Sequence, residues 1–160
     1  MSSNYDARSS DTRTDHSDSD GGKTARTLAM VVGAVFLLVG VLGFIPGVTT
    51  DYDTMQFAGH ESEAMLLGIF QVSILHNIVH LLFGVAGLAM GRKASGAVAY
   101  LIGGGVIYLL LTVYGWIIDK ESTANFVPLN TADDWLHLVL GLCMVAMGFI
   151  GKKAYDDGRR

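Results

Sequence analysis

Apolar positions run in long blocks along the chain, broken by short polar connections. Residues 27–45 are apolar and uncharged. Residues 74–90 form a second block, interrupted only by His76, Asn77 and His80. Residues 97–118 and 135–150 form a third and a fourth. None alternates apolar with polar, so half-buried strands and a transmembrane barrel are excluded. A bilayer core of about 30 Å takes roughly 20 helical residues at about 1.5 Å each. The first and third blocks meet that length directly, and the second and fourth need their outer turns. Ser73 is placed to cap the second helix, and Thr131 with Asp134 three residues on resembles a capping box for the fourth.

Polar composition refines this reading at both ends. Residues 1–22 are rich in Ser, Asp and Thr and bury almost nothing, which predicts a disordered tail. The expected organisation is a tail over 1–22, a membrane domain over 23–153 and a second tail over 154–160. A secretory signal is the other reading of the first block, since Lys23 and Arg26 precede it. No small-x-small cleavage site follows, so it is kept as a permanent helix.

Charge then orients the spans. Of 11 Lys and Arg, all but Lys120 fall before the first block (Arg8, Arg13, Lys23, Arg26), between the second and third (Arg92, Lys93) or after the fourth (Lys152, Lys153, Arg159, Arg160). The positive-inside rule places that side, with both termini, in the cytoplasm. Asp51, Asp53, Glu61, Glu63, Asp119, Glu121, Asp133 and Asp134 fall on the other. Tyr108, Tyr114, Trp116 and Trp135 are expected to form an interfacial belt there. The apolar stretch 64–70 in the first outer connection is too short to span. It is expected either to lie in the interface as an amphipathic turn or to extend the second helix outward.

The chain also repeats itself. VHLLFGVAGLAMG (79–91) and LHLVLGLCMVAMG (136–148) share six of 13 positions, and so do GAVFLLVGVLGFI (33–45) and GVIYLLLTVYGWI (105–117). Asn77 falls opposite Asp134. Both halves run in-to-out and then out-to-in, so the repeat is a parallel pair of hairpins about an axis along the membrane normal. His80, Gly84, Gly87 and Gly91 lie on one helical face, as do His137, Gly141, Met144 and Gly148. Gly33, Gly40 and Gly105 supply small residues on the odd helices, and such stripes allow close approach of backbones in lipid. The predicted fold is an all-α integral membrane four-helix bundle built from two repeated transmembrane hairpins.

Two strings together, LHNIVHLLFGVAGL (75–88) and NFVPLNTADDWLH (125–137), resemble the bacterial membrane family catalogued as domain of unknown function 4383. Their patterns are His76-Asn77-x-x-His80 and Asn130-x-x-Asp133-x-x-Leu136-His137, and the resemblance extends over roughly residues 24–151. It implies a small four-helix plasma-membrane protein and supplies no activity, so no catalytic residue is carried over.

Candidate chemistry rests on His76, His80 and His137. Counted from the cytoplasmic ends, His80 lies about 15 Å deep and the other two about 20 Å deep. Such groups face a bundle interior and mark a functional site by default. In one reading His76, Asn77, His80, Gln71 and His137, with the Asn130/Asp134 cap, hydrogen-bond across helices, each bond contributing about 0.6–2 kcal/mol. In a second, His76 and His80 (i, i+4) and His137 hold a haem iron or another metal. In a third, a His row with Asp133 and Asp134 at its mouth passes protons or small solutes.

The remaining signals exclude more than they add. Net charge is −4, and no basic patch suits nucleic acid. The single Cys143 excludes a disulfide scaffold and a Cys-based zinc site. No HExxH, calcium-loop spacing or nucleophile triad occurs, and Gly103–Gly105 lies inside an apolar block, so it is no phosphate cradle. The expectation is a structural or accessory membrane protein without catalysis or cofactor. Its partners would be the lipid bilayer and either a second copy or another membrane protein.

Overall fold

The computed structural model describes residues 20–157, so residues 1–19 of the predicted tail lie outside the described residues. Four helices carry the fold: α1 (Asp20–Leu42), α2 (Ile74–Met90), α3 (Ala94–Ile117) and α4 (Thr131–Asp157). Helices α1, α3 and α4 are long and apolar enough to cross a membrane, and α2, with 17 residues, is shorter. At about 1.5 Å per residue α2 reaches about 26 Å. Helix α1 starts at Asp20 and α4 runs to Asp157.

The stretch 64–70 is neither an interfacial helical turn nor an extension of α2. It folds as a hairpin of two-residue strands, β2 (Met65–Leu66) and β3 (Phe70–Gln71), with β1 (Thr49–Thr50) on the far side of β2. Both pairings are antiparallel, with Thr49 opposite Leu66 and Leu66 opposite Phe70. The cause is local. Leu67 and Gly68 both take positive φ, 55° and 70°, which reverses the chain where a helix needs negative φ. Ala64, Leu66 and Val72 then bury against Val39 and Leu42 at the end of α1. Apart from this small sheet and one 3-10 turn at Tyr52–Thr54 the described fold is helical.

Two helix pairs dominate the packing: α1 lies against α2, and α3 against α4. Glycine makes both seams close. A Cβ on Gly33 would sit 2.9 Å from the Gly84 carbonyl oxygen, and one on Gly105 2.8 Å from that of Gly141. No side chain fits between such backbones. Across the molecule α1 also packs on α4 and α3, whereas α2 and α3, joined only by residues 91–93, scarcely meet. Phe36 of α1 stacks on Tyr108 of α3 at 5.3 Å between centroids, and Tyr100, Leu101 and Met144 continue that core. Tyr108 is therefore a core residue, 2% exposed, and not part of an interfacial belt. Trp116 and Trp135 are exposed and pack edge to face.

Outward faces are apolar on every helix. Val31, Val35 and Leu38 of α1, Leu82 and Val85 of α2, Leu110 and Val113 of α3, and Val139, Leu142 and Phe149 of α4 are all at least half exposed. The buried set contains His76, Asn77, His80, Asp133, Asp134 and His137.

Candidate functional site

The site is built where α2 and α4 begin. Ser73 takes an extended conformation, and its hydroxyl accepts from the His76 amide at 3.1 Å, so it caps α2 as expected. That fixes His76, Asn77 and His80 in the first two turns, all buried. Being four apart, the two imidazoles share a face and stack at 4.6 Å. His80 Nδ1 lies 3.0 Å from the His76 carbonyl oxygen. A carbonyl only accepts, so Nδ1 carries the proton and Nε2 of a neutral His80 is left as an acceptor. The Asn77 side chain occupies the space that a side chain at Gly43 would need.

Helix α4 starts one residue away from the expected box. Asn130, not Thr131, is the cap: its Oδ1 accepts from the Asp133 amide at 2.9 Å, and Asp133 Oδ2 accepts from the Asn130 amide at 2.9 Å. The physical reason lies in the first outer connection. Asp133 Oδ2 also accepts from the Gln71 amide at 3.1 Å, and Asn130 Nδ2 donates to the Ile69 carbonyl at 2.8 Å. The hairpin of β2 and β3 is thus tied to the start of α4. Asp134, one position on, turns away and pairs with Lys120, whose Nζ lies 2.9 and 2.8 Å from its two oxygens. Its carboxylate fills the room beside Gly115.

Replacing Asp133 by Ala removes the acceptor of two amides, those of Asn130 and Gln71. Each part-buried donor left unpaired costs about 1–2 kcal/mol, so a total loss of about 2–4 kcal/mol is expected on unfolding in detergent. Hydrogen exchange should rise at both amides. Exchange unchanged at Gln71 would show that the hairpin is held by other contacts.

Around the imidazoles the structure gathers residues from three places. His137, one turn into α4, is 3% exposed and meets the Tyr108 ring edge-on at 5.0 Å. His76, His80, His137 and Tyr108 line one cavity of about 250 Å³, closed by Leu111, Phe126 and Leu129. A smaller void of about 90 Å³ lies beside Asn77, Asp133 and the same three histidines. His76 Nδ1, His137 Nδ1 and Asn77 Nδ2 are buried without a hydrogen-bond partner.

Of the six residues expected as one polar cluster, His76, His80, Asn77 and His137 come together, while Asn130 and Asp134 act at the helix start and toward Lys120. The expected hydrogen bonds between helices do not join the imidazoles. Bonds across elements run instead from loop to helix start, through Asp133, Asn130 and Lys120. The capping role expected of Asp134 belongs to Asp133, and Tyr108, expected in an interfacial belt, lies in the core. Among the described residues no group of three or more His, Cys, Asp or Glu is arranged to hold a metal ion. The glycines expected at helix contacts are found there: Gly33, Gly84 and Gly87 between α1 and α2, with Gly40 against Leu81 and Gly91 against Met30; and Gly105, Gly141 and Gly148 between α3 and α4.

An outward apolar surface over an inward polar site is the pattern of a helical membrane protein, and three of these helices suit it by length and composition. The chain belongs to the family described as domain of unknown function (DUF4383), which it matches over residues 26–150. No curated protein and no solved structure matches it.

Proposed function

We propose that this protein is a multi-pass component of the bacterial plasma membrane, four-spanning with both ends cytoplasmic, that acts as a non-catalytic accessory or structural subunit. The observation that carries the bilayer reading is the inverted polarity. Large apolar side chains stand exposed on all four helices, while imidazoles and carboxylates are inside. In water so much contiguous apolar surface drives aggregation; in lipid it is the ordinary exterior. The distribution of Lys and Arg supports the orientation.

Contacts that recur at one offset for each helix, 72 residues from α1 to α3 and 57 from α2 to α4, support the two related hairpins. Gly33 with Gly84 corresponds to Gly105 with Gly141, and Leu37 against Gly84 to Leu109 against Gly141. Met30 against Gly91 corresponds to Ile102 against Gly148, and Gly43 beside Asn77 to Gly115 beside Asp134. The Phe36–His80 ring contact corresponds to Tyr108–His137, and the Ser73 cap to the Asn130 cap.

Orientation is tested with single cysteines in a Cys143→Ser background. Thr123→Cys is expected to react with a membrane-impermeant maleimide in intact cells. Lys93→Cys is expected to react only after permeabilisation. The opposite pattern would reverse the assigned sides, and recovery of the protein in the soluble fraction without detergent would remove the bilayer reading itself.

A further inference from the structure

The two hairpins are not closed on each other alike. Under the repeat, the α1–α4 seam corresponds to the α3–α2 seam. The first is packed, with Gly151 of α4 against Ala25 of α1. The second is open, α2 and α3 scarcely meeting along their length; α2 also ends at Met90, whereas α4 continues to Asp157. Helix α2 therefore has no counterpart of the final turns with which α4 covers α1.

The histidine cavity opens into this seam. Below it, sharing Val79, runs a groove of about 490 Å³ between Phe83 and Ala86 of α2 and Tyr100, Gly103 and Ile107 of α3. No charged side chain lines either space; Tyr100 of the groove sets its hydroxyl, itself buried without a hydrogen-bond partner, against Gly87. At the upper end stand the partnerless Nδ1 atoms of His76 and His137, on side chains 4% and 3% exposed. Orphaned polar atoms at such depth are costly unless something bonds to them.

The geometry points to a binding site, entered from the lipid between α2 and α3, for an uncharged molecule with a ring-carbonyl head and a hydrocarbon tail, of the quinone type. The head is neutral because the cavity offers no counter-charge, Lys120 being committed to Asp134. It is flat and of one or two rings, because its walls are the stacked His76–His80 pair, Tyr108 and Phe126, and 250 Å³ equals roughly eight waters at about 30 Å³ each. It carries a carbonyl because the His137 imidazole, in its Nδ1–H tautomer, needs an acceptor, whereas the His76 ring already has the Pro128 and Gln71 carbonyls beside it. The tail follows from the groove, which starts at the Val79 it shares with the cavity and is lined by apolar side chains and Tyr100.

The inference rests on the bilayer reading, and its test keeps the two apart. Protein purified from membranes is titrated with decylubiquinone, followed by native mass spectrometry and thermal shift; decylbenzene serves as the probe without carbonyls. One saturable decylubiquinone per chain, with decylbenzene at least about tenfold weaker, is expected. Gly103→Leu is the decisive variant. A Cβ there meets nothing within 4 Å, so the side chain enters the groove without straining the fold. It should weaken decylubiquinone binding about tenfold while leaving the melting temperature of the unliganded protein equal or higher. His137→Gln should weaken it similarly. Equal binding of both probes overturns the carbonyl head, and full binding by a folded Gly103→Leu overturns the location. No saturable adduct on folded, membrane-extracted protein overturns the site and leaves the bilayer reading standing, whereas protein that never enters membranes fails that reading before any probe is added.

Discussion

Replacing Lys120 by Met is expected to lower stability by about 3–5 kcal/mol, because it strands a buried carboxylate. Asp134 is 2% exposed and Lys120 reaches both its oxygens, with the Lys side chain about one quarter exposed. An exposed pair of this kind would contribute no more than about 1 kcal/mol. What differs here is the acid, which sits at the start of α4 pressed against Gly115 and has no water to turn to once the ammonium is gone. The proposed pairing of the two hairpins supplies the rescue. At the corresponding place in the first hairpin, beside Gly43, stands Asn77, which is neutral and nearly the same shape. Lys120→Met combined with Asp134→Asn should therefore recover most of the loss, since a buried charge pair replaced as a unit is often close to neutral. Unfolding of the two single variants and the double variant in detergent measures this cycle. A Lys120→Met loss below about 1 kcal/mol would show that the pair behaves as a surface pair and that Asp134 is hydrated in the folded protein.

What the sequence made legible follows from the periodicity of each signal. The spans could be placed because a bilayer sets a length that apolar runs either reach or miss, and the glycine stripes because helical spacing repeats over several turns. The imidazole trio could be grouped because His76 and His80 share a helical face and His137 matches His80 in the repeat. Other features depend on single residues with no period behind them. The hairpin at 65–71 turns on the backbone conformation of Leu67 and Gly68, which hydropathy does not register. The shift of the cap from Thr131 to Asn130 depends on two partners about 60 positions earlier, Ile69 and Gln71, that no local window contains. Tyr108 was misplaced for a related reason. An aromatic toward the outer half of a span reads as an interfacial anchor until Phe36 is known to stack on it. The open α2–α3 seam was the least legible feature. Two hairpins alike in sequence predict two like seams, yet α2 and α3 scarcely meet where α1 and α4 pack together.

Adding one methyl group at Gly33 or Gly105 is expected to cost about 1–3 kcal/mol, and a leucine at either position is expected to yield no folded protein. In both places a new Cβ would strike backbone: the Gly84 carbonyl and Leu88 amide for Gly33, and for Gly105 the Gly141 carbonyl and Val145 amide, just behind the Val145 Cγ2 methyl. Backbone in the middle of a helix cannot swing aside as a side-chain tip can, so the helices must separate. Separation forfeits dispersion contacts along the whole seam, and in lipid no hydrophobic drive opposes it. Gly33→Ala and Gly105→Ala act on different helix pairs and share no partner, so their losses should add to within about 0.5 kcal/mol. Gly103→Ala is the internal control, two residues from Gly105 on the same helix but facing open space. There the substitution carries only the helix-propensity gain of Ala over Gly, up to about 1 kcal/mol. Unfolding midpoints in detergent should thus rank Gly103→Ala at or above the parent, with Gly33→Ala and Gly105→Ala well below it. Equal midpoints for Gly103→Ala and Gly105→Ala would mean that α3 and α4 do not approach at Gly141, and the account of both seams would fail with it.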